Sequence, residues 1–479
     1  MKKQFWYFIL LFLYVVSFPV QGKVMLPSIF SDNMVLQQKT QVNIWGKARP
    51  GEQVTVSPSW DKRNYAVQTS ADGHWKLQLK TPGVMDNQTL IVKGENTIII
   101  HNILIGEVWL CTGQSNMEFP VARDPKVKWK TGMINEAEEM KDADYPSIRL
   151  FHVEHQLAPE DEKEDCVGQW VICNPENLKD FSAVGFTFGR KLYKELQIPV
   201  GLIQSTWGGT HAESWTKMEV MKNNPLYSDV LEDFAVQNVK REKDKCKVPA
   251  TLWNGMIAPI LGYTIKGNIW YQGESNSIRY EKYQEVFTNL INSWRKEWGQ
   301  ADMPFYFVQI APWNGYADRN AAYLREQQAD VAATLHNTGM VVVSDLVNDI
   351  SDIHPSLKKQ VGVRLANMAL KKTYHREEVE PYSPMLKSIR IEGRKVMVTT
   401  TAIKLTCNDK TIQNFEIVDQ AGNVYPADAK LMKNGEISVS SVKVKTPVAV
   451  RYCFTNDAVP NLFDSNGLPL APFRTDRKK

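Results

Sequence analysis

From about residue 103 to residue 375 the chain alternates short apolar runs with stretches of helical periodicity, and this alternation constrains the fold most. Pro199 to Ser205 reads as a buried strand, preceded by a helix near Ser182 to Leu196. Ile265 to Gln272 is a second strand candidate. The next helix carries Tyr283, Val286, Phe287, Leu290, Ile291 and Trp294 on one face. Phe305 to Ile310 and Met340 to Ser344 follow as strands. A last helix is expected to start at Pro355, with Val361, Leu365 and Met368 on one face. Repeated strand–helix units predict an α/β fold, a parallel sheet with helices packed against it. Ligands of such sheets gather at the carboxyl ends of the strands.

The flanks read differently. Residues 23–102 hold short alternating strands, among them Val42-Asn43-Ile44-Trp45, Val54-Thr55-Val56 and Trp75 to Leu79, broken by Arg49-Pro50-Gly51 and Ala71-Asp72-Gly73. That spacing predicts a β-sandwich-type domain. Residues 381–479 return to the same pattern, with strands near Ser388 to Ile391, Lys395 to Val398, Phe415 to Val418 and Val448 to Tyr452. The catalytic chemistry is therefore expected in residues 103–380.

Residues 1–22 have the form of a secretory signal: Lys2-Lys3, an apolar stretch from Phe5 to Pro19, then Val20-Gln21-Gly22. The apolar run is short for a membrane span, which needs about 20 residues. Cleavage, export to a periplasmic or extracellular space and no stable membrane insertion are expected. Net charge is +4, and removing the two lysines of the leader lowers it to +2. No concentrated basic surface is encoded, which argues against a nucleic-acid partner. Of the six cysteines, Cys166 and Cys173 are near enough in sequence to pair in an exported protein. Cys111, inside an apolar strand, reads as a buried thiol. His152 and His155 lie three apart, but no third ligand follows at metal-site spacing. Neither a metal nor a cofactor is expected.

Four segments carry chemistry. Val108-Trp109-Leu110-Cys111 runs into Gly113-Gln114-Ser115-Asn116-Met117, a strand followed by a glycine turn that lifts a serine hydroxyl clear of the backbone. Ser115 can serve as a nucleophile, as a helix cap, or as both. Ser205-Thr206-Trp207-Gly208-Gly209-Thr210-His211 follows a buried strand, and its glycines allow close approach of backbone amides to a ligand. Trp270-Tyr271-Gln272-Gly273-Glu274-Ser275-Asn276 offers a side-chain amide for a developing oxyanion, or a cap for the next helix. Asp352-Ile353-His354-Pro355 places an imidazole in a late loop, where it can take a proton from an early serine.

In this order the segments resemble the SGNH hydrolase superfamily, and more narrowly the sialate O-acetylesterase family of carbohydrate esterases. The likeness runs from about residue 24 to 476 and includes Asn461-Leu462-Phe463-Asp464-Ser465-Asn466-Gly467 and Pro472-Phe473-Arg474-Thr475-Asp476. It implies a three-layer sheet with helices on both faces, Ser115 as nucleophile and His354 as base. It also implies an oxyanion hole from the Ser115 amide, Gly208 or Gly209, and Asn276. Gln272, Glu274 and Trp207 are expected at the substrate. The superfamily's acid lies three residues before the histidine. That position is Ser351 here, so Asp352 is the expected partner, with Asp349 as a further candidate. The implied substrate is an O-acetylated sialic acid. Acetylated xylan or another glycan would suit the same chemistry. A non-catalytic carbohydrate-binding protein is the alternative of another class, suggested by the β domains. Fourteen tryptophans suit either core packing or sugar stacking.

Overall fold

The computed structural model describes residues 23–477. The expected leader, residues 1–22, lies outside the described residues. Among the described residues no helix is long and apolar enough to cross a membrane.

Seven strands form the central sheet: β1 (Thr97–Gly113), β2 (Tyr145–His152), β3 (Trp170–Cys173), β4 (Val200–Thr206), β5 (Gly267–Tyr271), β6 (Phe305–Val308) and β7 (Thr338–Val341). Their order is β7-β6-β5-β1-β4-β2-β3. All pairings are parallel except β2 with β3. Parallel strands buried on both faces need continuous apolar sequence, and β1 shows how the two faces divide. Val108 and Leu110 enter one core, with Trp270, Phe287, Leu290 and Trp294. Trp109 and Cys111 enter the other, with Val184, Phe188, Leu365 and Met368. Helices therefore cover both faces, α1 (Ala183–Leu196) and α2 (Lys358–Lys372) on one side and α3 (Tyr283–Trp298) on the other. Each apolar side chain fully withdrawn from water contributes about 1.5–3 kcal/mol.

The helix predicted over Ser182 to Leu196 begins at Ala183, with the Ser182 hydroxyl accepting from the Gly185 amide at 2.9 Å. The last helix begins at Lys358, three residues later than Pro355. Residues 353–357 are instead drawn into the loop that carries His354.

The expected boundary between residues 102 and 103 falls inside β1, a single strand of 17 residues. Its first half pairs with Met85–Lys93 and Val35–Gln37 of the N-terminal sheet, and its second half is the centre of the parallel sheet. The C-terminal segment folds as two four-stranded sheets around their own core of Val396, Val398, Phe415, Ile417, Ile437, Val450 and Tyr452. Cys166 and Cys173 are free thiols. They belong to different cores, so the suggested pairing does not occur.

Candidate active site

The ends of β1, β4 and β5 meet the loop after β7 at one cleft. β1 stops at Gly113, whose φ of +136° suits glycine, and a Cβ there would lie 2.2 Å from the Tyr271 carbonyl oxygen. The chain leaves the sheet through this tight contact, and the Gln114 amide donates to the same carbonyl at 2.9 Å. Ser115 then opens a short helix, Ser115–Glu118.

His354 reaches this serine across 239 positions of sequence, with Nε2 2.8 Å from Ser115 Oγ. The hydroxyl can donate to Nε2 when the ring proton sits on Nδ1. Burial, and after it the positive charge of Lys358, lowers the imidazole pKa to about 4. The Trp129 ring packs over the imidazole at 4.8 Å between centroids.

Asp352 accepts the His354 backbone N–H at 2.8 Å, while its carboxylate stands 3.9 Å from Nδ1. That separation exceeds hydrogen-bond reach. Asp352 shapes the loop and touches the ring only through space. Asp349 accepts from the amide and hydroxyl of Ser351 at 2.9 and 2.7 Å, so its carboxylate serves its own turn.

Behind the serine lies a buried polar relay absent from the sequence reading. Asn116 Nδ2 donates to Glu274 Oε1 at 2.5 Å and to the Ile353 carbonyl at 3.1 Å. Lys358 Nζ donates to Asn116 Oδ1 at 2.6 Å and lies 4.7 Å from the Phe119 ring centre. Burial disfavours both charges: it pushes the Glu274 carboxyl up and lowers Lys358 to about 7. Through Ile353 the relay ties the base loop to the nucleophile turn.

The two glycines divide. The Gly208 amide donates to Glu118 Oε2 at 2.7 Å, and Glu118 Oε1 pairs with Lys130 at 3.0 Å. Gly209, at φ +73°, lines the cleft, and its amide has no acceptor among the described residues; neither has the Ser115 amide. Of the expected oxyanion donors, these two are free to serve.

Asn276 is a correction. Its Oδ1 accepts from the Ala212 amide at 3.0 Å and from Gln272 Nε2 at 2.7 Å, and its Nδ2 donates to Glu213 Oε2 at 2.8 Å. It is 1% exposed, does not line the cleft, and braces the loops behind it. Gln272 is also buried away from the cleft, donating to the Thr210 carbonyl at 3.1 Å and accepting from the Tyr283 hydroxyl at 3.0 Å. Trp207 and Glu274 do line it. His155 stacks on Trp207 at 4.0 Å and 8°, and donates to the Thr206 carbonyl at 2.9 Å.

The cleft has a volume of about 770 Å³ and is walled by Trp129, Trp207, Trp313, Tyr316 and Ile278. Aromatic faces above a serine–histidine pair suit a sugar carrying an ester. Among the described residues no group of three or more His, Cys, Asp or Glu side chains is arranged to hold a metal ion.

The family described as "Carbohydrate esterase, sialic acid-specific acetylesterase" matches residues 105–371. The human sialate O-acetylesterase is 32% identical over 497 aligned residues, covering 93% of this chain and 91% of its own. The mouse sialate O-acetylesterase is 30% identical, covering 89% of each chain. A crystal structure of a carbohydrate acetylesterase from Xanthomonas citri superposes with a TM-score of 0.84 at 30% identity, covering 95% of this chain and 100% of that one.

Proposed function

Because the chain belongs to the carbohydrate esterase family of sialic acid-specific acetylesterases and is a carboxylic ester hydrolase, we propose that it removes O-acetyl groups from sialic acids through an acyl-enzyme on Ser115. The observation that carries this reading is the 2.8 Å contact between His354 Nε2 and Ser115 Oγ at the foot of an aromatic cleft.

The chemistry follows from the contacts. His354 Nε2 takes the hydroxyl proton as Ser115 Oγ attacks the acetyl carbonyl carbon. The carbonyl π electrons move to oxygen, and the amides of Ser115 and Gly209 donate to that oxyanion. One such donor is worth about 10²–10³ in rate. The intermediate collapses, the ester C–O bond to the sugar breaks, and the imidazolium returns its proton to the sugar oxygen. Water, deprotonated by His354, then attacks the acetyl-serine carbonyl; the bond to Ser115 Oγ breaks, the imidazolium returns the proton to Oγ, and acetate leaves. The Trp129 and Trp207 faces stack on the sugar, and burial keeps the imidazole neutral and ready as a base.

A second reading keeps the mechanism and changes the sugar. Lys130 is the cation at the cleft wall, and Glu118 pairs with it at 3.0 Å. Among the described lining residues no free cation faces a sialic acid carboxylate, which favours neutral acetylated glycans. Acetate release from O-acetylated sialic acid, acetylated xylan and a chromogenic acetate separates the cases. Turnover of the sialic acid supports the first reading, and turnover of xylan alone supports the second. Glycan binding with no acetate from any ester would refute both.

The protein is held in the same reading to act after export. Mass spectrometry of the mature N-terminus checks this: a start near Lys23 supports export, and a start at Met1 overturns it.

A further inference from the structure

The segment 313–321 supplies Trp313, Gly315, Tyr316 and Ala317 to the cleft. The loop of His354 grips its start, where the Asn314 amide and Trp313 Nε1 donate to the Ile350 and Ser351 carbonyls, each at 3.0 Å, and the C-terminal β sandwich holds the rest. Asn456, on the loop after strand Pro447–Tyr452, is buried against it. Its Nδ2 donates to the carbonyls of Asp318 at 2.7 Å, Tyr316 at 3.0 Å and Ala317 at 3.2 Å. Its Oδ1 accepts from the Ala321 amide and its carbonyl from the Trp313 amide, each at 3.0 Å. One side chain and its own carbonyl thus close both ends of the segment.

Neighbouring groups repeat the attachment. Arg319 forms a two-pronged pair with Glu416, at 2.8 and 2.7 Å, and Arg325 donates to the Thr455 carbonyl. Paired forks of this kind fix geometry as well as adding energy. Within the segment the Trp313 ring is packed so closely over Gly315 that a Cβ there would lie 2.2 Å from it. Trp313 also meets the Tyr316 ring edge-on at 4.9 Å. The tryptophan face therefore has one position, set by the grip on its backbone together with the Nε1 bond to the Ser351 carbonyl.

We propose, resting on the deacetylase reading above, that Asn456 is a positioning residue through which the C-terminal β sandwich sets the sugar-facing wall of the cleft and so the range of glycans accepted. The catalytic pair has further ties of its own. Asn116 binds the Ile353 carbonyl at 3.1 Å and Asp352 binds the His354 amide at 2.8 Å, neither through the sandwich. A small ester that needs the pair but not the wall should be indifferent to Asn456.

The test uses the full chain with Asn456→Ala, read on O-acetylated sialic acid and on 4-nitrophenyl acetate. KM for the sugar ester is expected to rise about tenfold, with kcat/KM for the small acetate within about twofold of wild type. Glu416→Ala, which removes the carboxylate partner of Arg319 but leaves its bond to the Phe454 carbonyl and Asn456 in place, is expected to shift the sugar KM the same way by a smaller factor. Hydrogen exchange supplies a readout independent of turnover: the Ala321 amide, whose acceptor Oδ1 is removed, should lose protection in Asn456→Ala while the core helix Tyr283–Trp298 keeps its own. Parallel loss on both substrates, unchanged KM for the sugar ester, or unchanged exchange at residues 313–321 would overturn the proposal. Wild type that releases no acetate from the sugar would count against the sialic acid reading, and the exchange arm would still decide the role of Asn456.

Discussion

Replacing Ser115 with alanine is expected to lower acetate release by about 10⁴-fold or more on every ester, sugar or chromogenic. The change removes one oxygen atom. With it go the bond-forming electron pair and the proton that His354 accepts at 2.8 Å. The residual rate is what binding and oxyanion donors achieve without a nucleophile, roughly 10³–10⁴ over water. Little else depends on that oxygen. Gln114 caps the short helix without a side-chain bond, and the turn is fixed by Gly113 against Tyr271. The variant should melt near wild type, since losing a single hydrogen bond of this kind costs about 1 kcal/mol. Acetate release, a thermal melt, and a search for an acetyl adduct on Ser115 in the wild type are the measurements. A folded variant that keeps its turnover would remove the acyl-enzyme from the mechanism.

Much of this arrangement is legible in sequence because it follows from periodicity and turn chemistry. Tyr283, Phe287, Leu290, Ile291 and Trp294 had to share a helical face, and they do, against Trp270 and Phe305 of the sheet. Ser115 and His354 each follow a strand, and parallel topology brings such ends together. What sequence hides is which polar groups of a turn face the ligand. Gln272-Gly273-Glu274-Ser275-Asn276 offers two carboxamides, but Gly273 at φ +151° swings the chain so that Glu274 and Ser275 meet the cleft. Asn276 and Gln272 turn back onto Glu213, Thr210 and each other. The domain boundary was hidden for another reason. β1 serves two sheets as one strand of 17 residues, and no proline breaks it at the passage. Lys358, Trp129 and Asn456 are ordinary helix, loop and turn residues until the fold sets them beside Asn116, His354 and the Tyr316 carbonyl. Lys358 is the clearest case. Its place in an amphipathic helix suggests a solvated face, and its ammonium is instead buried between Phe119 and Tyr271.

His354→Ala is expected to cost about 10³–10⁴-fold in kcat and to abolish the acid limb of the pH profile. Among the described residues, no other side chain is hydrogen-bonded to Ser115 Oγ to accept its proton. The Asp352 carboxylate lies 3.9 Å from Nδ1, on the ring's far side from the serine, and is bound to the backbone of residue 354. The same contact makes Asp352→Asn a mild change beside His354→Ala. The wild-type pH dependence follows in sign from the lowered imidazole pKa. The base works in its neutral form, and burial first, then the Lys358 charge, lowers the pKa to about 4. kcat/KM should therefore hold steady from neutral pH through pH 5 and fall about tenfold per unit only below pH 4. Stability moves in the same direction over a higher window. An imidazole with an ordinary pKa of 6.5 when unfolded and about 4 when folded is protonated first in the unfolded chain. The imidazole's own contribution to stability is thus full above pH 6.5 and declines as pH drops toward 4. Circular dichroism at each pH separates loss of fold from protonation of the base. If kcat/KM fell near pH 6.5 with the fold intact, the imidazole would be titrating as though in water, and the desolvated contact with Ser115 would not be the working geometry.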